Sequence, residues 1–212
     1  MRRFKSVLNK YGISILRFRR ALLHIFVGTT IIFLAFNWYS YLRWFLFFLL
    51  LFGLIISLFS LRFKLPFIYF MLKKFEIPKY IRRFPGKGAL FFVAGCLLVL
   101  KLFPFSIALA SIAILTYADP IAHLSGVALG RIKYRKPFNR FKKVEGSVIG
   151  MLVGWLTASL FIHWLAALLA TIVAMLAEAL VLKLGGDEVD DNLVVPLSAA
   201  TTLYVLSKIF IL

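Results

Sequence analysis

Two long apolar runs follow one another almost without a break, residues 21–37 and 41–61, and between them the only Lys or Arg is Arg43. A helix needs roughly 20 apolar residues to cross a hydrocarbon core about 30 Å thick, and inside that core every backbone polar group must find its partner within the chain. Runs of this length therefore leave little choice but membrane-spanning helices. Five more runs follow, at about 88–103, 105–130, 147–163, 164–184 and 193–211, divided by Pro, Gly and charge clusters. The sequence predicts an all-α, polytopic integral membrane protein with about seven transmembrane helices, forming a single transmembrane domain over residues 1–212. With 62% hydrophobic and 17% aromatic residues, the composition lies outside that of soluble domains. Cys96, the one cysteine, lies in an apolar run and implies packing, not redox chemistry. The first run lacks a small-residue cleavage site, so no removable signal peptide is expected.

The formal charge of +18 is distributed by position along the runs. Lys and Arg gather in a basic N-terminus (1–20), an amphipathic segment (62–87), a basic loop (131–146) and residues 183–192, and only Arg43, Lys101 and Lys208 fall elsewhere. Basic loops separated by apolar runs form no continuous face for nucleic acid, and by the positive-inside rule they put the N-terminus in the cytoplasm. All eight acids map to the same side or to the inner half of a run. Sidedness rules say little about Asp and Glu, so their gathering points to a cytoplasm-facing site. The segment 62–87, broken by Pro66, Pro78 and Pro85, reads as one or two interfacial helices in contact with membrane lipid headgroups.

Four stretches carry the candidate chemistry. In YADPIAHLSGVALG, Pro120 is expected to break the helix and restart it with Asp119 as N-cap. Ala122, Gly126 and Gly130 then form a bare face that admits either another helix or a phosphate chain. The loop RIKYRKPFNRFKKVEGS offers Arg131, Lys133, Lys142 and Lys143, followed by Glu145, Gly146 and Ser147 at a helix start, a combination suited to a polyphosphate. Glu178 lies deep in its run, either as a ligand or as acceptor for a basic side chain. Finally GGDEVDDNLVVP sets Asp187, Asp190, Asp191 and Asn192 together, hard oxygen donors of the kind that hold Mg²⁺ on nucleotide phosphates. Arg20, His24 and Gly28 share one helix face, so His24 is either a satisfied interfacial histidine or a group near headgroup or nucleotide. There is no G-x-x-x-x-G-K-[ST] loop, dinucleotide fingerprint or zinc spacing.

The order DPIAHLSGVALG, KKVEGS, an intramembrane Glu and DDNLVVP, with RALLHIFVG and FPGKGALFFVAG upstream, resembles the CTP-dependent polyprenol kinase group over roughly residues 20–205. That group comprises dolichol kinases, phytol kinases and CTP-using diacylglycerol kinases, and is related to the phosphatidate cytidylyltransferases. The resemblance implies transfer of the γ-phosphoryl of CTP to a lipid alcohol at the cytoplasmic surface, and it points to Asp119, Lys143, Glu145, Gly146, Glu178, Asp190, Asp191 and Asn192. It leaves open whether Lys142 or Lys143 meets the phosphates. The working expectation is that Asp190, Asp191 and Asp119 hold Mg²⁺ on CTP, that Lys142, Lys143 and Arg131 offset its charge, and that Asp119 accepts the hydroxyl proton. A CDP-lipid synthase, using similar groups on the α-phosphorus, and a non-enzymatic lipid or ion transporter stand as alternatives.

Overall fold

The computed structural model describes residues 14–63, 66–76, 78–81, 83–184 and 187–210. Its elements are α1 (Ile15–Arg62), α2 (Pro66–Phe75), α3 (Pro78–Ile81), α4 (Lys87–Leu102), α5 (Phe105–Ala113), a π-helical turn (Ile114–Ala118), α6 (Asp119–Ala128), α7 (Val144–Ala158), α8 (Trp164–Ala179), the two-residue strands β1 (Lys183–Leu184) and β2 (Asp187–Glu188), and α9 (Asp191–Phe210). The fold is thus helical, with one minimal antiparallel strand pair.

Although α1 runs for 48 residues, Trp38 leaves helical geometry at φ −141° and ψ 48°. The contacts show that the two legs fold back as a hairpin. At one end His24 packs edge-on against Phe92 and Ser57 Oγ donates to the Pro85 carbonyl. At the other end Tyr39 donates to the Leu100 carbonyl and Phe36 meets Phe105. Each leg is then about as long as a bilayer is thick. The expected boundary between the runs 21–37 and 41–61 is this break.

Three helices are long and apolar enough to cross a membrane: Ile15–Arg62, Phe105–Ala128 and Asp191–Ile209, with Val144–Ala158 and Trp164–Ala179 shorter but apolar. These are the features of a membrane protein. Of the long ones, the most apolar 18-residue stretch of Phe105–Ala128 is 72% buried against 11% for that of α1, so the former is the axis of the bundle and the latter its flank. The core consists largely of small residues on that axis and its neighbours, among them Ala108, Ala110, Ala167, Ala170, Ala174 and Ala199. Helices with such faces approach closely, and dispersion between their backbones replaces the hydrophobic drive that lipid does not supply.

Pro120 does not break the helix as expected. The chain passes into α6 through the π-helical turn, Asp119 keeps helical angles (φ −59°, ψ −54°), and no side chain caps α6. Proline lacks the N–H that a carbonyl four residues back would accept, and widening the turn by one residue hands that carbonyl to the next donor. Asp119 is therefore a residue inside a continuous helix and not an N-cap.

Candidate functional site

The loop after α6 is short of regular structure but closely tied down. Glu145, in the first turn of α7, accepts from the backbone N–H of Arg131 (2.8 Å) and Ile132 (2.9 Å). Lys133 and Lys143 form a bridge, and the Asn139 N–H donates to the Ala179 carbonyl at the end of α8 (2.8 Å). This anchoring lays Lys142 across the end of α8. Its ammonium donates to Glu178 Oε1 (2.5 Å), to the Glu178 carbonyl (2.6 Å) and to Asp191 Oδ2 (2.9 Å), using all three of its protons. Burial alone would lower the Lys142 pKa, but the facing charges of Glu178 and Asp191 outweigh it and hold the amine above the ordinary lysine range.

Asp119, Glu178 and Asp191 thus converge from α6, α8 and α9, with one carboxylate oxygen of each within 4.8 Å of the others. Lys142 pairs with two of the three; no ion pair among the described residues engages Asp119. Glu178 Oε2 is buried and has no hydrogen-bond partner among the described residues. An orphaned carboxylate oxygen beside two further acids and a single lysine is a site still short of positive charge. The donor set, all hard oxygen, fits a divalent cation such as Mg²⁺.

The cluster forms one side of a cavity of about 670 Å³, within the range of small-molecule sites. Much of its remaining lining is apolar, from Leu23 and Val27 on α1 and from α2, whose Phe67, Ile68, Met71, Leu72 and Phe75 line the cavity at helical spacing. The amphipathic segment read as a lipid-contacting helix is thus also a wall of the cavity.

Asp190 is turned a little aside from the three acids. Its Oδ1 accepts from the Asn192 side chain (2.8 Å) and backbone (3.2 Å), and Lys87 lies 3.9 Å from its Oδ2. Burial, with Asp191 adjacent, raises its pKa against the pull of Asn192 and Lys87. Asn192 also donates to the Gly88 carbonyl (3.2 Å), so it fastens α9 to the start of α4. The backbone of Asp187 is in β2, and its side chain lies outside the described residues.

Several residues expected at the phosphates are elsewhere. Gly126, Gly146 and Ser147 are buried in the contact of α6 with α7: a Cβ on Gly146 would lie 2.5 Å from the Ala122 carbonyl oxygen and 2.7 Å from Gly126 Cα. Of the two partners that the bare face admits, the structure has the helix. Lys143 packs its stem over Gly126 and Gly130, and its Nζ lies 3.4 Å from the Gly130 carbonyl, so Lys142 is the lysine at the acids. Arg131 and Lys133 are exposed and do not line the cavity. Glu145, one of the residues to which the resemblance points, has its carboxylate occupied by loop N–H groups, because the irregular stretch after α6 leaves the N–H groups of Arg131 and Ile132 without a helical partner. His24 lines the cavity, but its Nε2–H donates to the Leu115 carbonyl (3.1 Å) and docks α1 on the π turn. Conversely, Arg17, Lys87 and the α2 wall went unrecognised in the sequence; the apolar face of α2 is the signal that marks the last of these.

No family model, curated protein or solved structure matches the chain.

Proposed function

We propose that the chain is a CTP-dependent lipid-alcohol kinase of the polyprenol kinase type, moving the γ-phosphoryl of CTP to an isoprenoid alcohol or diacylglycerol. In this reading it crosses the membrane seven times, with α1 contributing two spans, and the N-terminus and cavity face the cytoplasm. One observation carries the proposal: three acids from distant parts of the sequence meet beside Lys142 in a cavity that α1 and α2 also line with apolar side chains. A water-soluble charged donor and a lipid acceptor have to meet at such a boundary. Among the described residues, the Lys and Arg other than Arg43, Lys101 and Lys208 belong to segments at the cavity end, which supports the orientation.

Glu178 and Asp191 would hold Mg²⁺, which supplies charge neutralisation on the transferring group and the departing diphosphate. Lys142 orients those two carboxylates and balances part of their charge. Asp119, the acid not paired with Lys142, accepts the proton of the lipid hydroxyl. The freed oxygen bonds to the γ-phosphorus as the bond from that phosphorus to the β-phosphate oxygen breaks, and CDP leaves. The apolar residues of α1 and α2 seat the lipid chain and exclude water from the transfer.

Purified protein given lipid alcohols and CTP labelled separately at the α and γ positions tests this. Label in the lipid from the γ position is the expected result; label from the α position gives a CDP-lipid synthase instead. Absence of any nucleotide turnover returns the chain to the transporter class.

A further inference from the structure

The same cavity holds a second group of like charges. Arg17 and Arg20 from the start of α1 and Lys87 from the start of α4 all line it. The Arg20 guanidinium lies against Gly88, 3.3 Å from where a Cβ would be. Gly86, at φ +76°, turns the chain into α4, and no side chain caps that helix. The Lys87 N–H donates to the Phe84 carbonyl (3.2 Å), so among the described residues it is the next N–H groups, of Gly88 and Ala89, that this helix start leaves open beside Arg20 and Lys87. The only ion pair among these cations in the described residues is the long one from Lys87 to Asp190. Asn192, bonded to both the Gly88 carbonyl and Asp190, joins this cationic side to the acidic one. Glu178, which lines the same cavity, keeps its buried Oε2 without a hydrogen-bond partner among the described residues, so the polypeptide alone leaves charge there unsatisfied.

We infer that Arg17, Arg20, Lys87 and the start of α4 form a phosphate subsite, and that it, not the exposed cations Arg131 and Lys133, receives the polyphosphate or lipid phosphate bound in this cavity. The physical argument is convergence: planar Arg donors and backbone N–H groups surround an oxyanion from two elements, whereas Arg131 and Lys133 are solvated on a surface outside the cavity. The nucleotide form of the inference rests on the kinase reading; the subsite itself does not.

Binding of CTP with Mg²⁺, and separately of dihexanoyl phosphatidate, is measured on the full chain in detergent for the wild type, R17Q, R20Q, K87Q and the double variant R131Q/K133Q, with thermal melting as the check on folding. Each of the first three variants should weaken binding of CTP, of phosphatidate or of both by about tenfold or more, and the double variant by less than about twofold. Arg17 is exposed, so its replacement keeps the test valid if R20Q melts early. Loss for phosphatidate alone, with no CTP binding by the wild type, keeps the subsite and ends the kinase reading. Binding that survives all three single changes for every probe the wild type takes up, or that falls only in R131Q/K133Q, ends the subsite; where CTP is among those probes the kinase reading stands. A wild type that binds neither probe overturns both.

Discussion

The two ends of the bundle handle charge in opposite ways. At the end away from the cavity, Arg43 lies over the Tyr39 ring (4.6 Å), Lys101 over Trp44 (5.7 Å) and Lys208 over Tyr204 (5.4 Å). No carboxylate in the sequence maps there, and the cations are accommodated by ring faces and by water, as interfacial anchors are. At the cavity end ring faces hold cations too, with Lys87 over Tyr80 (4.9 Å) and Lys74 over Phe70 (5.7 Å), but there Lys142 and Lys87 also face carboxylates, and the carboxylates outnumber the cations that touch them. Anchoring a helix end in a membrane thus needs no acid in this protein. The acids at the other end then require a separate reason, and ligand binding is the one that their convergence supports.

This contrast is open to direct attack. The largest effect is expected from D191N or D119N, which should lower γ-phosphoryl transfer by roughly a thousandfold with little change in the melting temperature. Near-normal transfer from a folded variant would remove the acid cluster from the chemistry. Next comes a comparison of neighbours: K142M should cost about ten- to a hundredfold in turnover, since it leaves Glu178 and Asp191 facing one another uncompensated, whereas K143M should cost less than about threefold. Equal losses would mean that loop integrity and not the position of one ammonium is being read. G146A should act on stability alone, lowering it by about 1–3 kcal/mol through overpacking against Ala122 and Gly126, and CTP affinity per folded molecule should hold. Smallest of all, R43Q and K101Q at the far end should change stability by about 0.5–1 kcal/mol and leave transfer within experimental error. A large loss of activity there would tie the two ends together and undo the comparison.

Legibility in the sequence followed the length scale of the physics. The apolar runs were readable because hydrocarbon solvates no backbone polar group, so any segment that long has to be helical whatever it packs against. The same logic exposed Asp119 and Glu178, since an acid in an apolar run is costly unless it has a partner. Pro120 was legible as an irregularity but not as a π turn: its missing N–H is local, yet whether the helix breaks or widens depends on the packing around it, here the tight approach of Gly28 to Thr116.

That the chain is helical and apolar, with its acids toward one end, is written into the order of its residues, because hydropathy and charge act on each segment separately. Only the tertiary structure decided which lysine meets Glu178, that Gly126 and Gly146 face each other and not a ligand, and that Arg17 and Lys87 share a cavity with Asp191. Those outcomes depend on distances between residues as many as 174 positions apart, from Arg17 to Asp191, and such distances are set by helix packing, to which no single segment holds the key.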